Sequence, residues 1–143
     1  MSLTENHTIA ELLYENEKLS AELEAERFML ELITSLSSTE LIDDGINNVL
    51  CKVGEYTCAD RAYVFEINED YTTTNTYEWC NEGITAVKEQ LQNISYHDMD
   101  EYERVFDENS IFYCHDVTSL SKKQRQLFEA QGIHSTLQCA YYE

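Results

Sequence analysis

Two short clusters in this chain combine residue types that can bind metal ions or move protons. The first is His97–Asp100 (HDMD), and the second is Cys114–Asp116 (CHD). A metal site needs at least three such side chains converging on one point, and the spacing of these clusters does not show that convergence. Asp98 and Asp116 also suit helix-entry or turn positions, where a carboxylate accepts backbone hydrogen bonds. We therefore predict no metal site and no catalytic residue.

A histidine-activated cysteine nucleophile is the other chemistry that Cys114 and His115 suggest. They fall in a predicted strand, where neighbouring side chains point to opposite faces, so the activating hydrogen bond cannot form. The cysteines are odd in number and contain no C-x-x-C pair, and we expect reduced, mostly buried thiols rather than a disulfide framework. They are Cys51, Cys58, Cys80, Cys114 and Cys139.

The charge balance narrows the classes of partner. With 28 acidic and 9 basic residues among 143, the formal net charge is −19. Nucleic acids and anionic membrane surfaces attract basic patches, so neither is an expected partner. No apolar run approaches the roughly 20 residues of a membrane span, and no signal peptide opens the chain. We expect a cytoplasmic protein.

Residues 4–36 form one long helical pattern without Gly or Pro. A heptad frame places aliphatic residues at six of the eight a and d positions, as in a coiled coil. Asn16 at an a position favours a parallel dimer in one register, Glu22 can pair with the partner's Arg27, and Glu26 weakens the seam at a d position. The predicted dimer seam is Ile9, Leu12, Asn16, Leu19, Leu23, Leu30 and Ile33.

The alternative is a single amphipathic helix that lies on its own domain. At about 1.5 Å per residue the segment spans about 50 Å, which is longer than one small domain covers, so the length favours the coiled coil. A capping-box pattern at Ser37–Glu40 predicts the start of a second helix. Its apolar positions are Ile42, Ile46, Val49, Leu50 and Val53.

A hairpin and further short elements follow the second helix. Strands are predicted at Arg61–Asn68 and Thr76–Ile84, with a polar turn over 69–74. The later elements are helices at Ala86–Leu91 and Met99–Phe106 around a polar spacer at Asn93–His97, a strand at Ser110–His115, a helix at Lys122–Gln131 and a strand at His134–Tyr142. This order predicts an α+β fold around an antiparallel sheet, with Phe65, Phe112 and Phe128 in the core.

The hairpin residues are the most distinctive part of the chain. Ala59–Phe65 (ADRAYVF) and Tyr77–Ile84 (YEWCNEGI), supported by Leu91–Ile94 and Glu129–Ser135, resemble the GAF domain, a ligand-binding signalling module related in architecture to PAS. The resemblance runs from about residue 28 to the end. It implies an antiparallel sheet with a helix layer on one face, preceded by the long N-terminal helix, and a ligand pocket on the other face.

The resemblance also implies a domain organisation. It divides the chain into a signalling helix at 4–36 and a GAF domain at 37–142. The family's last strands and closing helix are missing, so the domain is expected to be C-terminally truncated. This version looks like those fused to bacterial diguanylate cyclase (GGDEF), phosphodiesterase or histidine kinase output domains. The full-length protein is then expected to be a diguanylate cyclase or histidine kinase, whereas this fragment is not an enzyme.

The pocket implied by the family is apolar with a few convergent polar groups. No cofactor is evident, no cysteine sits in a bilin-attachment context, and the ligand is an unknown small molecule. The residues predicted to line the pocket are Tyr63, Tyr77, Trp79, Tyr96, Tyr113 and Cys114.

Three functions remain open from the sequence. The first is a regulatory sensor that binds a ligand, forms a homodimer through its N-terminal helix and controls a fused C-terminal output domain. The second is a ligand-free dimerisation scaffold, which a core without a cavity would favour. The third, a thiol-dependent methionine sulfoxide reductase as found among some GAF-like proteins, is disfavoured because no paired reactive cysteines occur.

Overall fold

A computed structural model of the chain describes residues 3–38, 41–95 and 105–141. The helices and strands are α1 (Leu3–Ser38), α2 (Ile42–Tyr56), β1 (Arg61–Ile67), β2 (Thr72–Cys80), β3 (Ile94–Ser95), β4 (Ile111–Cys114), α3 (Lys122–Glu129) and β5 (Thr136–Cys139). Strands β1, β2 and β3 form one sheet in that order, while β4 and β5 pair in a second sheet. The fold is α+β with antiparallel sheets, which confirms the predicted class.

Contacts between residues divide the chain into two compact units. The first comprises the residues up to Tyr63 together with Tyr77–Ile84. It therefore contains α1, α2 and the open end of the β1–β2 hairpin. The second comprises Val64–Thr76 and the residues from Thr85 onward. It contains the turn of the hairpin, strands β3, β4 and β5, and α3.

Helix α1 confirms the predicted long N-terminal helix, but the capping box that follows it was predicted wrongly. The helix continues through Ser38, and the Ser37 hydroxyl donates to the Ile33 carbonyl oxygen at 2.8 Å, inside α1 itself. Helix α2 starts at Ile42 with Leu41 at its N-cap, and no side-chain cap hydrogen bond forms there among the described residues. Within the described part of the chain, no helix is both long and apolar enough to cross a membrane.

The hairpin turn is tighter than predicted, because β2 starts at Thr72 and includes three threonines assigned to the loop. The Asp70 carboxylate accepts hydrogen bonds from the Thr72 backbone N–H at 3.1 Å and the Thr72 hydroxyl at 2.7 Å. Tyr71 adopts a left-handed φ of 60°, which closes the turn. Asn68 Nδ2 also donates to Thr72 Oγ1 at 2.8 Å, so side-chain hydrogen bonds hold the β-branched threonines in the strand.

Strand β3 lies where the sequence predicted a polar spacer. Its two residues pair with β2, with Thr72 opposite Ser95 and Thr73 opposite Ile94. The helix predicted over Ala86–Leu91 is reduced to a 3-10 turn at Lys88–Gln90. The helix predicted at Met99–Phe106 lies largely outside the described residues.

The core of the second unit confirms two of the predicted buried aromatic residues. Phe112 and Phe128 are buried, with ring centroids 6.2 Å apart, and they pack with Cys114 and Val117. Helix α3 is capped by the Ser121 hydroxyl, which accepts from the Gln124 backbone N–H at 3.5 Å. This unit therefore places β4, β5 and α3 around one apolar cluster.

Two burial predictions were wrong. Phe65 on β1 is 41% exposed rather than buried in the core. All five cysteines are free thiols, as expected, but Cys58 and Cys139 are exposed and only Cys114 is buried. The local sequence pattern predicts which helix or strand a residue belongs to. Whether that residue is buried depends on other segments of the chain that cover it.

Candidate functional site

Helix α2 packs against β2 through a close contact between Gly54 and Trp79. Gly54 is buried in α2, and a Cβ built on it would lie 2.1 Å from Cζ3 of the Trp79 ring. Only a residue without a side chain allows the indole ring to approach the helix so closely. On the same face of β2, the Tyr77 hydroxyl donates a hydrogen bond to the Asp43 carboxylate in the first turn of α2.

Helix α2 also contacts α1. The rings of Phe28 and Tyr56 stack with centroids 4.0 Å apart and an interplanar angle of 10°. Lys52 Nζ lies 3.4 Å from Glu31 Oε2. Helix α2 therefore stands between the open end of β2 and the C-terminal half of α1, with contacts to both.

A polar cluster of Arg61, Tyr63, Glu78 and Cys80 occupies the other face of the hairpin. Alternate residues of a strand point to opposite faces, so Glu78 and Cys80 face away from the α2 contact that Tyr77 and Trp79 make. The Arg61 guanidinium lies beside both the Tyr63 hydroxyl and the Cys80 thiol. All four residues are half-buried and belong to the first unit.

The protonation states of this cluster follow from its surroundings. Burial raises the pKa of the Tyr63 hydroxyl, and the neighbouring Arg61 charge opposes that rise. Burial and then the negative charge of Glu78 raise the pKa of the Cys80 thiol, which Arg61 again opposes. Cys80 is therefore a protonated thiol at neutral pH rather than a nucleophilic thiolate. The cluster offers a cation, a phenol and a carboxylate for binding.

Among the described residues, Cys51 and Cys114 form no cysteine–histidine pair. Burial, followed by the charge of Glu55, raises the pKa of the Cys51 thiol. Cys114 is buried in the core, whereas His115, the residue after β4, is exposed. His97–Asp100 lies outside the described residues. Within the described ranges, no group of three or more His, Cys, Asp or Glu side chains could hold a metal ion.

Five of the six residues predicted to line the pocket are among the described residues, three of them in the first unit and two in the second. Tyr77 and Trp79 pack toward α2, and Tyr63 lies on the opposite face of the hairpin with Arg61. Cys114 belongs to the core of the second unit, while Tyr113 is 66% exposed. Tyr96 lies outside the described residues. The pocket that these residues were predicted to form remains a prediction.

Asn75, in the second unit, is a buried polar residue that the sequence did not single out. Its side chain is 0% exposed, and neither amide atom has a hydrogen-bond partner among the described residues. Its backbone is held by two bonds: its N–H donates to the Leu91 carbonyl oxygen, and its own carbonyl oxygen accepts from Gln92 Nε2, both at 2.9 Å. A buried carboxamide in this state can accept and donate to a bound polar group or water.

The predicted dimer seam is uncovered along α1. The face of α1 that packs on α2 carries Phe28 and Glu31, whereas the seam lies on another side of the helix. The apolar seam residues are between 44% and 64% exposed: Ile9, Leu12, Leu19, Leu23, Leu30 and Ile33. Asn16 is exposed among them.

Sequence reasoning missed Arg61, Glu78, Cys80 and the role of Gly54. The alternation of β2 placed Glu78 and Cys80 on a face different from that of Trp79, and this signal was available in the sequence. The Gly54–Trp79 contact joins residues 25 positions apart, and no local pattern indicates it. The predicted set emphasised aromatic residues and shares Tyr63 with the cluster, whereas the other three members of the cluster were not predicted.

Comparisons with known proteins give a consistent likeness in structure only. No protein-family model and no curated protein matches the chain. The phycocyanobilin-bound GAF domain of a cyanobacterial phytochrome matches with a TM-score of 0.64 and 13% identity, covering 78% of this chain and 69% of that one. The GAF domain of the cyanobacteriochrome TePixJ matches with a TM-score of 0.52 and 18% identity, covering 71% and 64%.

A third solved structure extends the likeness to a larger protein. The chromophore-binding domain of the bacteriophytochrome RpBphP3 from R. palustris matches with a TM-score of 0.65 and 14% identity. The match covers 81% of this chain but 46% of that one, so the chain spans less than half of that domain. The observed sheets and the helices before them agree with these neighbours, and the chain has the fold of a GAF domain.

Proposed function

We propose that this chain is a regulatory sensor domain that forms a homodimer through α1 and responds to a small ligand on the polar face of its hairpin. The observation that carries the proposal is the placement of α1. One side of its C-terminal half packs on α2, and its heptad seam is left uncovered. The role proposed for the full-length protein is cytoplasmic control of a fused diguanylate cyclase or histidine kinase domain.

The dimer is supported by the chemistry of the seam. Large aliphatic residues exposed in a continuous row mark an interaction surface. The heptad spacing matches a coiled coil, and Asn16 at an a position selects a parallel pair in register. Glu22 is exposed, with its carboxylate 3.8 Å from Lys18 on the same helix, and in the parallel register it can also meet the partner's Arg27.

The ligand is proposed from the polar cluster. Arg61 and Tyr63 supply hydrogen-bond donors for an anionic group, and Glu78 supplies an acceptor beside them. The matching ligand is a small molecule with a carboxylate or phosphate next to a hydrogen-bond donor. Nucleic acid and membrane contacts are not part of the proposal, because the net charge of −19 disfavours both.

Communication between the ligand and the dimer is proposed to pass through α2. A ligand beside Glu78 and Cys80 would bias the position of β2, and Trp79 on the opposite face would transmit that change to Gly54. The Phe28–Tyr56 stack would carry it from α2 to α1. Such a relay needs two arrangements of the α1–α2 pair that ligand binding populates differently.

Native mass spectrometry tests the dimer. The purified chain is expected at twice its 16.7 kDa mass. Leu19→Glu/Leu23→Glu places charges in the seam and should give a monomer. The matched control, Tyr14→Glu/Ala21→Glu, adds the same two charges on the opposite side of the heptad and should remain a dimer. A monomeric wild type, or equal loss in both variants, would refute the proposed dimer.

The same spectra test the ligand. A retained small molecule would appear as excess mass on each chain, and its occupancy should fall in Arg61→Ala. Arg125→Ala removes an exposed arginine that pairs with Glu129 in the second unit, and it should leave the occupancy unchanged. Equal occupancy in the two variants would count against the polar cluster as the binding site.

A ligand-free dimerisation scaffold is a second candidate. The observation that favours it is the closed packing of Trp79 on Gly54 and of Tyr77 on Asp43. These two aromatic residues were predicted to line a pocket and instead contact α2. A dimer that carries no excess mass after gentle purification, and whose association does not respond to small molecules, would favour this function.

A further inference from the structure

Asn75 on β2 is a polar side chain that the fold buries completely. Its exposure is 0%, and neither Oδ1 nor Nδ2 has a hydrogen-bond partner among the described residues. Thr73, two residues earlier on the same face of the strand, is also buried, but its hydroxyl donates to the Glu66 carbonyl oxygen at 3.1 Å. The fold therefore satisfies the buried hydroxyl of Thr73 and leaves the carboxamide of Asn75 open to a further partner.

Hydrogen bonds fix the backbone of Asn75 to the segment that follows β2. Its N–H donates to the Leu91 carbonyl oxygen and its carbonyl oxygen accepts from Gln92 Nε2, both at 2.9 Å. Gln92 Nε2 also donates to the Lys88 carbonyl oxygen at 2.7 Å. The carboxamide therefore projects from a fixed backbone position, and its donor and acceptor are held in place for an incoming group.

Asparagine is a poor choice for this position if the fold is its only role. Asn is depleted in strands, whereas the β-branched threonines on either side of it are favoured there. A buried amide without a partner also lowers stability, because it has lost its hydrogen bonds to water. Residues that go against both the local preference and the rule for buried polar groups are expected at functional sites.

We propose that the Asn75 carboxamide binds a small neutral molecule through an amide or lactam edge, in which an N–H and a C=O lie side by side. Oδ1 accepts from the N–H of that edge while Nδ2 donates to its carbonyl oxygen, as when Asn reads the donor–acceptor edge of adenine. The ligand is neutral because Asn75 carries no charge, and burying a charge without a counter-charge is costly.

This site is separate from the polar cluster around Arg61. Asn75 belongs to the second unit, whereas the polar cluster belongs to the first. The two sites also differ in the chemistry that they recognise, since Asn75 offers a neutral donor and acceptor and the cluster offers a cation. The inference therefore goes beyond the proposed function and does not depend on it.

A ligand reaches a side chain of 0% exposure only when a neighbouring segment opens. The segment 88–95 borders Asn75 and includes a three-residue 3-10 turn, the left-handed Asn93 at a φ of 52° and the two-residue strand β3. Short elements of this kind open locally at a lower free energy than the rest of a domain. The apparent affinity is then reduced by the fraction of molecules in which the segment is open.

Titration of the ¹⁵N-labelled chain with 2-pyridone, a planar lactam, tests the site by NMR. The side-chain NH₂ resonances of Asn75 should shift and saturate with a dissociation constant on the order of 1 mM, as expected for a ligand of about seven non-hydrogen atoms. N-methyl-2-pyridone keeps the carbonyl but lacks the N–H, so it should bind at least about ten-fold more weakly because Oδ1 stays unpaired. Equal affinity for both compounds, or no saturable shift with 2-pyridone, overturns the inference.

Substitutions of Asn75 distinguish a binding role from a structural one. Asn75→Leu and the smaller, β-branched Asn75→Val should both abolish 2-pyridone binding. In the ligand-free chain, Asn75→Leu should lower the unfolding equilibrium constant about five- to thirty-fold, because the unpaired amide is removed. The matched control, Thr73→Val, removes the satisfied hydroxyl, so it should lower stability and leave the affinity unchanged. Binding that survives in either Asn75 variant, or a loss of stability in both, overturns the inference.

Arg61→Ala separates this site from the one proposed on the hairpin. It should leave the affinity for 2-pyridone unchanged, because Arg61 belongs to the polar cluster of the first unit. A loss of 2-pyridone binding in Arg61→Ala that equals the loss in Asn75→Val would overturn the inference. Unchanged affinity in Arg61→Ala together with lost affinity in Asn75→Val supports it, whatever the polar cluster binds.

Discussion

Gly54→Ala is expected to destabilise the first unit, although alanine is a better helix former than glycine. A Cβ on residue 54 would lie 2.1 Å from Cζ3, 2.3 Å from Cε3 and 2.8 Å from Cη2 of Trp79. Ordinary contacts between carbon atoms are about 3.5–4.0 Å. The overlapping atoms belong to a rigid ring on a paired strand, so either the ring or α2 must move.

The expected magnitude follows from two opposing terms. Replacing glycine by alanine inside a helix contributes about 1 kcal/mol of stability. Forcing an extra carbon into a packed contact costs about 1–3 kcal/mol, and an overlap of more than about 1 Å with two ring atoms belongs at the upper end. The net effect is a loss of about 1–2 kcal/mol, which lowers the Tm by about 3–8 °C in a chain of this length.

Urea unfolding followed by fluorescence measures this loss, because Trp79 is the single tryptophan and reports on the contact itself. Asn48→Ala, at an exposed position of α2, is the control for helix propensity and should raise stability by a few tenths of a kcal/mol. Adding Trp79→Leu to Gly54→Ala should recover about 1 kcal/mol as coupling in a double-mutant cycle read by circular dichroism. A Gly54→Ala protein as stable as the wild type would refute the packing described for these two residues.

Three further predictions concern a buried amide, an acidic turn and a thiol. Asn75→Leu should raise the free energy of unfolding by about 1–2 kcal/mol, because it removes buried polar atoms without a partner among the described residues. A lower free energy of unfolding, measured with urea, would show that the Asn75 amide does have hydrogen-bond partners. Hydrogen bonds from Thr72 lower the pKa of the Asp70 carboxyl in the folded protein below its ordinary value of 3.8. The ionised carboxylate therefore stabilises the fold above pH 3.8, and this stabilisation is lost as the pH falls through the folded-state pKa. Asp70→Ala should therefore destabilise the protein more at pH 7 than at pH values well below 3.8, and an equal effect across that range in thermal unfolding would contradict this linkage. Cys80 has a raised pKa and is partly buried, so at pH 7 it should react with iodoacetamide at least about ten-fold more slowly than the exposed Cys58. Peptide mass spectrometry measures both rates, and similar rates would argue against a protonated Cys80 thiol.

Elements with a strong local signal were predictable from the sequence. The heptad pattern extends over many turns, so it identified the long helix α1 without any tertiary information. The dimer seam from Ile9 to Ile33 stays a prediction. The alternating residues of the hairpin likewise located β1 and most of β2. Errors concentrated at boundaries, such as Ser37, where a hydroxyl can either cap the next helix or bond back to its own.

The candidate site was less predictable because it depends on which face of the hairpin meets α2. The sequence correctly placed Tyr77 and Trp79 on one side of a strand but could not say what covers that side. Trp79 contacts α2 because Gly54 leaves room for the ring, and that pairing exists only once the two segments are folded together. The opposite face then becomes the one that gathers Arg61 and Glu78.

The sequence by itself determined the long helix, its apolar seam, the hairpin, the α+β class and the acidic character of the surface. These properties depend on residue type and on spacing over a few turns or strand repeats, which local backbone geometry converts directly into structure. Tertiary structure alone decided that α2 lies between Trp79 and Phe28, that Phe65 is exposed and that Asn75 is fully buried. Those outcomes depend on contacts between residues distant in the chain, because a side chain is buried only when another segment covers it.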